Sequence, residues 1–277
     1  MLELLVLAIA PAVFIFLYIY SKDRYEPEPL HLVAWVFILG ALSTIPAGVL
    51  ELPFPEGIIS SAVAAPVIEE GLKFLIVFLA VYRRPEFSEP MDGIVYATAA
   101  SLGFATLENI LYVMDGGLAV GIVRAIVSVP GHVIFSCIWG FALGIAKFRP
   151  APERFGIILT GLMGGMLLHG VFNFSIEYFE VWGFLLLLLV VIPLGWWMTC
   201  RNIRRAQANP VSACSLQGGA GGPVLTGSVP PQAAGRAMEN FPGTGMHTNR
   251  FCTQCGMPVR DGMRFCGNCG KEVETNP

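Results

Sequence analysis

The sequence predicts an all-α polytopic membrane bundle of about seven transmembrane helices, followed by a tether and a small cysteine-bearing module. Three observations carry this reading. Of 277 residues, 55% are hydrophobic and only 13% are charged, with a mean hydropathy of +0.65, far from a soluble domain. Apolar stretches near the roughly 20 residues that a spanning helix needs follow one another down the chain. After Arg205 the composition changes abruptly. Acidic residues number 20 against 17 lysines and arginines, which argues against nucleic acid as a partner.

The first apolar stretch, residues 2–20, lacks a basic start and a small-residue cleavage site, so it is expected to stay as an anchor rather than be removed as a signal peptide. The second is 32–50 and the third 58–82, with Glu69, Glu70 and Lys73 in its middle. The fourth, 93–114, carries Glu108 and Asn109, and the fifth, 118–146, carries Arg124, Ser128 and His132 at intervals of four. Pro130 and Gly131 are expected to kink that helix just before the histidine. The sixth, 155–176, carries His169 and Asn173, and the seventh is 181–200. A shorter stretch taken alone also reads as a buried core helix, but the whole series leaves too little polar surface for a soluble fold.

Lysines and arginines follow the first, third, fifth and seventh stretches: Lys22 and Arg24, Arg83 and Arg84, Lys147, Arg149 and Arg154, and Arg201, Arg204 and Arg205. The intervening connections, 51–57, 115–117 and 177–180, carry none. The positive-inside rule therefore predicts an outer N-terminus and a cytoplasmic C-terminus in a multi-pass membrane protein, most simply of a prokaryotic cell.

The membrane domain is assigned to residues 1–205. Residues 206–249 are rich in Gly, Pro, Ala and Ser and too poor in large apolar residues to fold, which makes them a flexible linker. Residues 250–277 hold two CxxCG knuckles, Cys252 with Cys255 and Cys266 with Cys269. Four thiolates at this spacing complete a tetrahedral structural zinc shell. Paired disulfides compete for the same cysteines but are rare in a reducing cytoplasm. So small a module draws most of its folding free energy from the metal. Its role is either structural alone or the binding of a protein partner.

Charges within lipid cost several kcal/mol and mark a functional site by default. On a helix Glu69 and Lys73 share a face, so an intrahelical ion pair offsets part of that cost and leaves Glu70 seeking a partner elsewhere. At about 1.5 Å per residue, Glu69, His132 and His169 lie roughly 16 to 21 Å from the cytoplasmic ends of their spans. Glu108, at about 22 Å from the cytoplasmic end, falls nearer the outer face and joins them only if its helix is displaced or tilted. Each group has a plain structural reading: a histidine as an interhelical contact, Asn173 as interhelical glue, the ion pair as scaffold. Together they suit metal-assisted hydrolysis, with histidines and a carboxylate as ligands and a second carboxylate as general base.

Glu69-Glu70-Gly-Leu-Lys73, Gly103-Phe104-Ala-Thr-Leu-Glu108-Asn109, Gly131-His132 and His169-Gly-Val-Phe-Asn173, in that order on successive helices, resemble the PrsW family of intramembrane proteases, relatives of the CAAX prenyl endopeptidases. The resemblance covers about residues 25–175. It implies a membrane-embedded endopeptidase, of metalloprotease or glutamate type, acting on a membrane-associated protein within the lipid bilayer. It assigns Glu69 to water activation, Glu70 to assistance or orientation, His169 to the catalytic set and Asn173 to the substrate carbonyl or oxyanion. Glu108, His132 and His169 are the implied ligands of a second, catalytic zinc, although Glu108 stands where the prenyl endopeptidases carry histidine. Lys73 and Arg124 are charge partners that keep the carboxylates ionised. Membrane-anchored regulators such as anti-sigma factors are the implied substrates. The alternative from another class is a non-enzymatic transporter or proton pathway built on the same buried charges.

Overall fold

In the computed structural model, residues 2–208 other than Tyr25 are described. They form helices α1 (Leu2–Tyr20), α2 (Leu30–Leu42), α3 (Thr44–Glu51), α4 (Ala65–Ala80), α5 (Pro90–Val123), α6 (Val129–Lys147), α7 (Ala151–Leu186) and α8 (Ile192–Gln207), and no strand occurs among the described residues. Among the described residues, three helical lengths are long and apolar enough to cross a membrane: Leu30–Glu51, Pro90–Lys147 and Ala151–Gln207. The tether and the cysteine knuckles, with Cys252, Cys255, Cys266 and Cys269, lie outside the described residues.

The two longest lengths are not straight rods. Backbone conformation departs from helical at Gly117 (φ 69°) within α5 and at Glu180 (φ 47°) within α7. Gly117 has the positive φ that a residue without Cβ adopts freely. Beyond it the chain doubles back, so that Gly93 of α5 faces Gly140 and Gly144 of α6, and the Ser101 hydroxyl donates to the His132 carbonyl at 2.7 Å. A Cβ at Gly183 would collide with the Ser175 carbonyl, which marks a second reversal at Glu180. Both reversals fall where the sequence separates apolar stretches, at 115–117 and 177–180.

Three π-helical segments interrupt the bundle, Ser60–Ala64, Arg124–Ser128 and Leu187–Val191, and each is followed two residues later by proline: Pro66, Pro130 and Pro193. Proline lacks an N–H for the carbonyl four residues back and its ring crowds that carbonyl. The residues four back, Ala62, Ile126 and Leu189, sit at the centres of the three segments. Widening the turn there absorbs the mismatch. The distortion expected at Pro130–Gly131 thus lies one turn earlier, and it carries Arg124. At the first segment the Ala62 carbonyl is met by Gly170 of α7, where a Cβ would clash, so His169 approaches α4 closely.

The core is built around the first half of α5, whose residues from Pro90 to Thr106 are all buried. It packs against α1, α2 and α6. Small residues make this possible: Gly40 fits against Ala100, and Gly103 against Phe37, with backbones in direct contact. Large apolar side chains such as Phe14, Leu79, Leu167, Trp182 and Leu189 face outward, as lipid contact requires.

Candidate active site

The polar residues singled out in the sequence come from α4 (Glu69, Glu70, Lys73), α5 (Glu108, Asn109), the π-segment before α6 (Arg124), α6 (His132) and α7 (His169, Asn173). A cavity of about 880 Å³ is lined by Glu69, Glu108, Arg124, His132, His169 and Asn173, and it extends to Glu51, Glu56 and Glu177. Glu56 and Glu177 are exposed.

Lys73 is fully buried, and its ammonium donates to Glu69 Oε2 at 3.1 Å and to Glu70 Oε1 at 2.8 Å. It also lies 3.1 Å from His132 Nδ1 and 4.1 Å from the centre of the Phe104 ring. One lysine therefore compensates both carboxylates, rather than Glu69 alone. The rest of the cost of burying Glu70 is met by other helices. Ser136 Oγ and Trp139 Nε1 donate to its Oε2, both at 2.9 Å, and His169 Nδ1 lies 3.2 Å from Oε1. With donors on both oxygens and no exposure, Glu70 is an anchor.

Glu69 differs in one respect that matters chemically. Its carboxylate is held by Lys73 on Oε2 and faces the cavity, with 8% of the side chain exposed. Of the adjacent pair, only Glu69 can meet a water or a substrate.

Glu108 reaches the group after all. Its Oε2 pairs with Arg124 Nη2 at 2.7 Å and with His132 Nε2 at 2.9 Å. Counted from the cytoplasmic ends of their spans, Glu108 at about 22 Å and His132 at about 21 Å are level, and His132 turns one nitrogen toward Lys73 and the other toward Glu108. Arg124 is held in turn by Asn109 Oδ1, which accepts from its Nε at 2.6 Å, and by the Tyr112 ring 4.0 Å away. Asn173 Nδ2 donates to the Ser61 carbonyl at 2.8 Å, which fixes its amide on the cavity wall.

Glu69, His132 and His169 each offer a donor atom, all within 4.8 Å of one another. Two imidazole nitrogens and a carboxylate are a set that zinc accepts. His169 suits the role most directly, because Nδ1 is oriented by Glu70 and Nε2 is left for an ion, the carboxylate–histidine arrangement of metal centres. His132 would exchange one of its present partners for the ion. Glu69, and not Glu108, is grouped with the histidines; Glu108 stands behind His132 on the Arg124 side.

Ser136, Trp139 and Ser61 escaped the sequence reading. Ser136 continues the four-residue series Arg124, Ser128, His132, so its face was available as a signal. Trp139 and Ser61 act through a partner on another helix, which no spacing within one helix reveals.

Residues 28–198 match the family model described as "PrsW family intramembrane metalloprotease", and residues 251–273 match a zinc-ribbon domain model. The Protease PrsW of Geobacillus kaustophilus is 38% identical over 213 residues, covering 75% of this chain and 93% of that protein. Those of Bacillus subtilis (33% identical; 75% and 97% covered) and Clostridioides difficile (36%; 70% and 87%) are similar to the same region. No solved structure shows significant similarity to the chain. The relatives are proteases, which sets the transporter and proton-pathway reading aside. With four motifs gathered around one cavity, the chain belongs to the PrsW family of intramembrane metalloproteases, a membrane-embedded endopeptidase with a C-terminal zinc ribbon.

Proposed function

We propose that the protein hydrolyses a peptide bond of a membrane-associated protein with a water activated by Glu69. The observation that carries this reading is the inequality of the adjacent carboxylates: Glu70 has donors on both oxygens, whereas Glu69 opens to the cavity. The residues that would hold a zinc ion are His132, His169 and Glu69. When bound, such an ion supplies Lewis acidity and lowers the pKa of a water to about 7. Glu69, fixed by Lys73 through Oε2, takes a proton from water and returns it to the leaving amine. Glu70 orients His169, and Glu108 orients His132 while Arg124 compensates its charge. Asn173 spends one amide hydrogen on the Ser61 carbonyl and has a second for the oxyanion.

The seven-span arrangement is supported by the reversals at Gly117 and Glu180, and its outer N-terminus by the distribution of lysine and arginine. It places the 51–57 connection and Glu177 on the outer side, so the cavity opens outward. Such an opening suits the extracytoplasmic segment of a single-span regulator, with an anti-sigma factor as the substrate class. Residues 206–249 then act as a cytoplasmic linker between the domain of residues 1–205 and the ribbon of residues 250–277, with Cys252, Cys255, Cys266 and Cys269 on its zinc. A tethered ribbon raises the local concentration of a protein partner at the membrane.

Incubation of the purified chain with a single-span substrate, followed by mass spectrometry of new termini, tests the reading. Cleavage is expected with the wild type and not with Glu69→Gln or His169→Ala; cleavage undiminished in both variants would overturn it. Zinc content resolves the role of Glu69. Retained zinc in an inactive Glu69→Gln assigns it to proton transfer alone, and loss of one zinc makes it a ligand as well.

A further inference from the structure

A second group of acids lies where α1 leads into α2 and where α5 begins. Asp23, Glu28, Glu89 and Asp92 are all buried, none more than 7% exposed. Asp92 precedes Glu108 by sixteen positions on α5, roughly 24 Å along the axis, so this group is separate from the cavity. Asp23, Glu89 and Asp92 each offer an oxygen within 4.8 Å of the others, and the Glu28 carboxyl lies against that of Asp92.

Each carboxylate is fixed through a contact that leaves one oxygen over. Asp23 Oδ2 accepts from the Glu28 backbone N–H at 3.1 Å, and Asp92 Oδ2 accepts from the backbone N–H groups of Ser88 and Glu89 at 2.6 and 2.8 Å. Glu28 Oε2 accepts from the Tyr96 hydroxyl, and Glu89 accepts from the backbone at the start of α5 in a capping box. Asp23 Oδ1, Glu28 Oε1, Glu89 Oε1 and Asp92 Oδ1 are buried and have no hydrogen-bond partner among the described residues. Nor does any described lysine, arginine or histidine form an ion pair with these four side chains. Lys147, nearby, donates to the carbonyls of Tyr82 and Arg84 instead, at 2.7 and 3.1 Å. Burial, with the neighbouring carboxylates, pushes the Glu28 carboxyl up to about 7 and that of Glu89 up to about 8, in keeping with donors too few for the charge.

Pre-positioned, uncompensated carboxylates with one free oxygen each are the ligand chemistry of a hard cation. We propose that Asp23, Glu28, Glu89 and Asp92 bind a divalent cation of the magnesium, calcium and manganese class, which clips the α1–α2 connection to the start of α5. The site ties the first helices to the helix that carries Glu108.

Manganese is the probe, read by electron paramagnetic resonance of the free ion during titration of the zinc-loaded full chain in detergent at pH 8. One manganese per chain is expected, displaced by calcium or magnesium. Binding persists in His169→Ala, which damages the cavity, and weakens by at least about tenfold in Asp92→Asn and Glu28→Gln. The melting temperature rises with manganese in the wild type and in His169→Ala but not in the other two. Glu28→Gln keeps the acceptor for Tyr96, so it serves where loss of Asp92 impairs folding. No uptake up to about 1 mM, a weak extracellular-type affinity, or uptake unchanged in both variants would overturn the site and leave protons shared between the carboxyls.

Discussion

Glu70 and Asp92 are both fully buried carboxylates, and their surroundings answer the cost of burial in opposite ways. Glu70 sits among donors from three helices: Lys73 on its own, Ser136 and Trp139 on α6, His169 on α7. Asp92 sits among other acids, with backbone N–H groups on one oxygen and no hydrogen-bond donor among the described residues on the other. The first arrangement is complete without any added ion, and it holds His169 Nδ1 against Oε1. The second is completed only by something from solution, a proton or a cation. Burial alone thus says little about what a carboxylate does; the sign of its neighbours says more.

The comparison breaks most visibly on stability. Removing one partner of a buried, hydrogen-bonded charge network costs about 3–5 kcal/mol, because the remaining charge is stranded. Glu70→Ala leaves Lys73 with Glu69 alone and strips the buried Ser136, Trp139 and His169 of their acceptor, so a loss toward that order is expected in detergent unfolding. Asp92→Asn, measured without divalent cations, is expected to be neutral or stabilising because it removes one of several like charges. Equal losses in both variants would refute the contrast.

How far this was legible in the sequence differs between the two regions. Helical spacing alone brought Glu69 to Lys73, and common depth brought Glu69, His132 and His169 into one plane, which the 4.8 Å grouping matches. The partners of Glu70 were not legible, because Ser136 and Trp139 reach it across a helix interface that no periodicity encodes. Glu108 needs no displaced helix: counted from the cytoplasmic ends of their spans it lies at about 22 Å against about 21 Å for His132 and His169, so helical rise itself puts them level, and its carboxylate meets the His132 imidazole. The acids at the end of the bundle are not legible from the chain, since Asp23 lies between Lys22 and Arg24 and looks neutralised there. Tertiary structure turns Asp23 inward to Glu89 and Asp92, and Arg24 is left exposed.

A smaller effect is expected at Glu108, whose carboxylate links Arg124 to His132. Outer partners of a ligating histidine typically contribute 10–100-fold in metal affinity or activity, and Glu108→Gln keeps an acceptor while losing the charge. Cleavage rate should fall within about that range, less than the roughly 10²–10⁴-fold loss expected for removing the proposed base in Glu69→Gln. An equal loss in both would move Glu108 from a positioning role into the proton-transfer step and weaken the distinction drawn between cavity-facing and anchoring carboxylates.

The smallest effect is the pH dependence of the outlying cluster. Glu28 and Glu89 have folded-state pKa values of about 7 and about 8, above an ordinary value of 4.5, with burial as the chief cause. Between the ordinary and the raised values the folded protein holds more protons than the unfolded chain, so stability falls as pH rises. In buffer freed of divalent cations before the zinc-loaded protein is added, the melting temperature should therefore decline by a few degrees from about pH 5 to about pH 8. Manganese takes the place of the protons and should flatten the decline, most strongly at pH 8, where the carboxylates are free to bind it. The cavity offers no such exchange at Glu70, whose charge is already answered by Lys73, so Glu70→Gln should lower the whole curve without changing its slope.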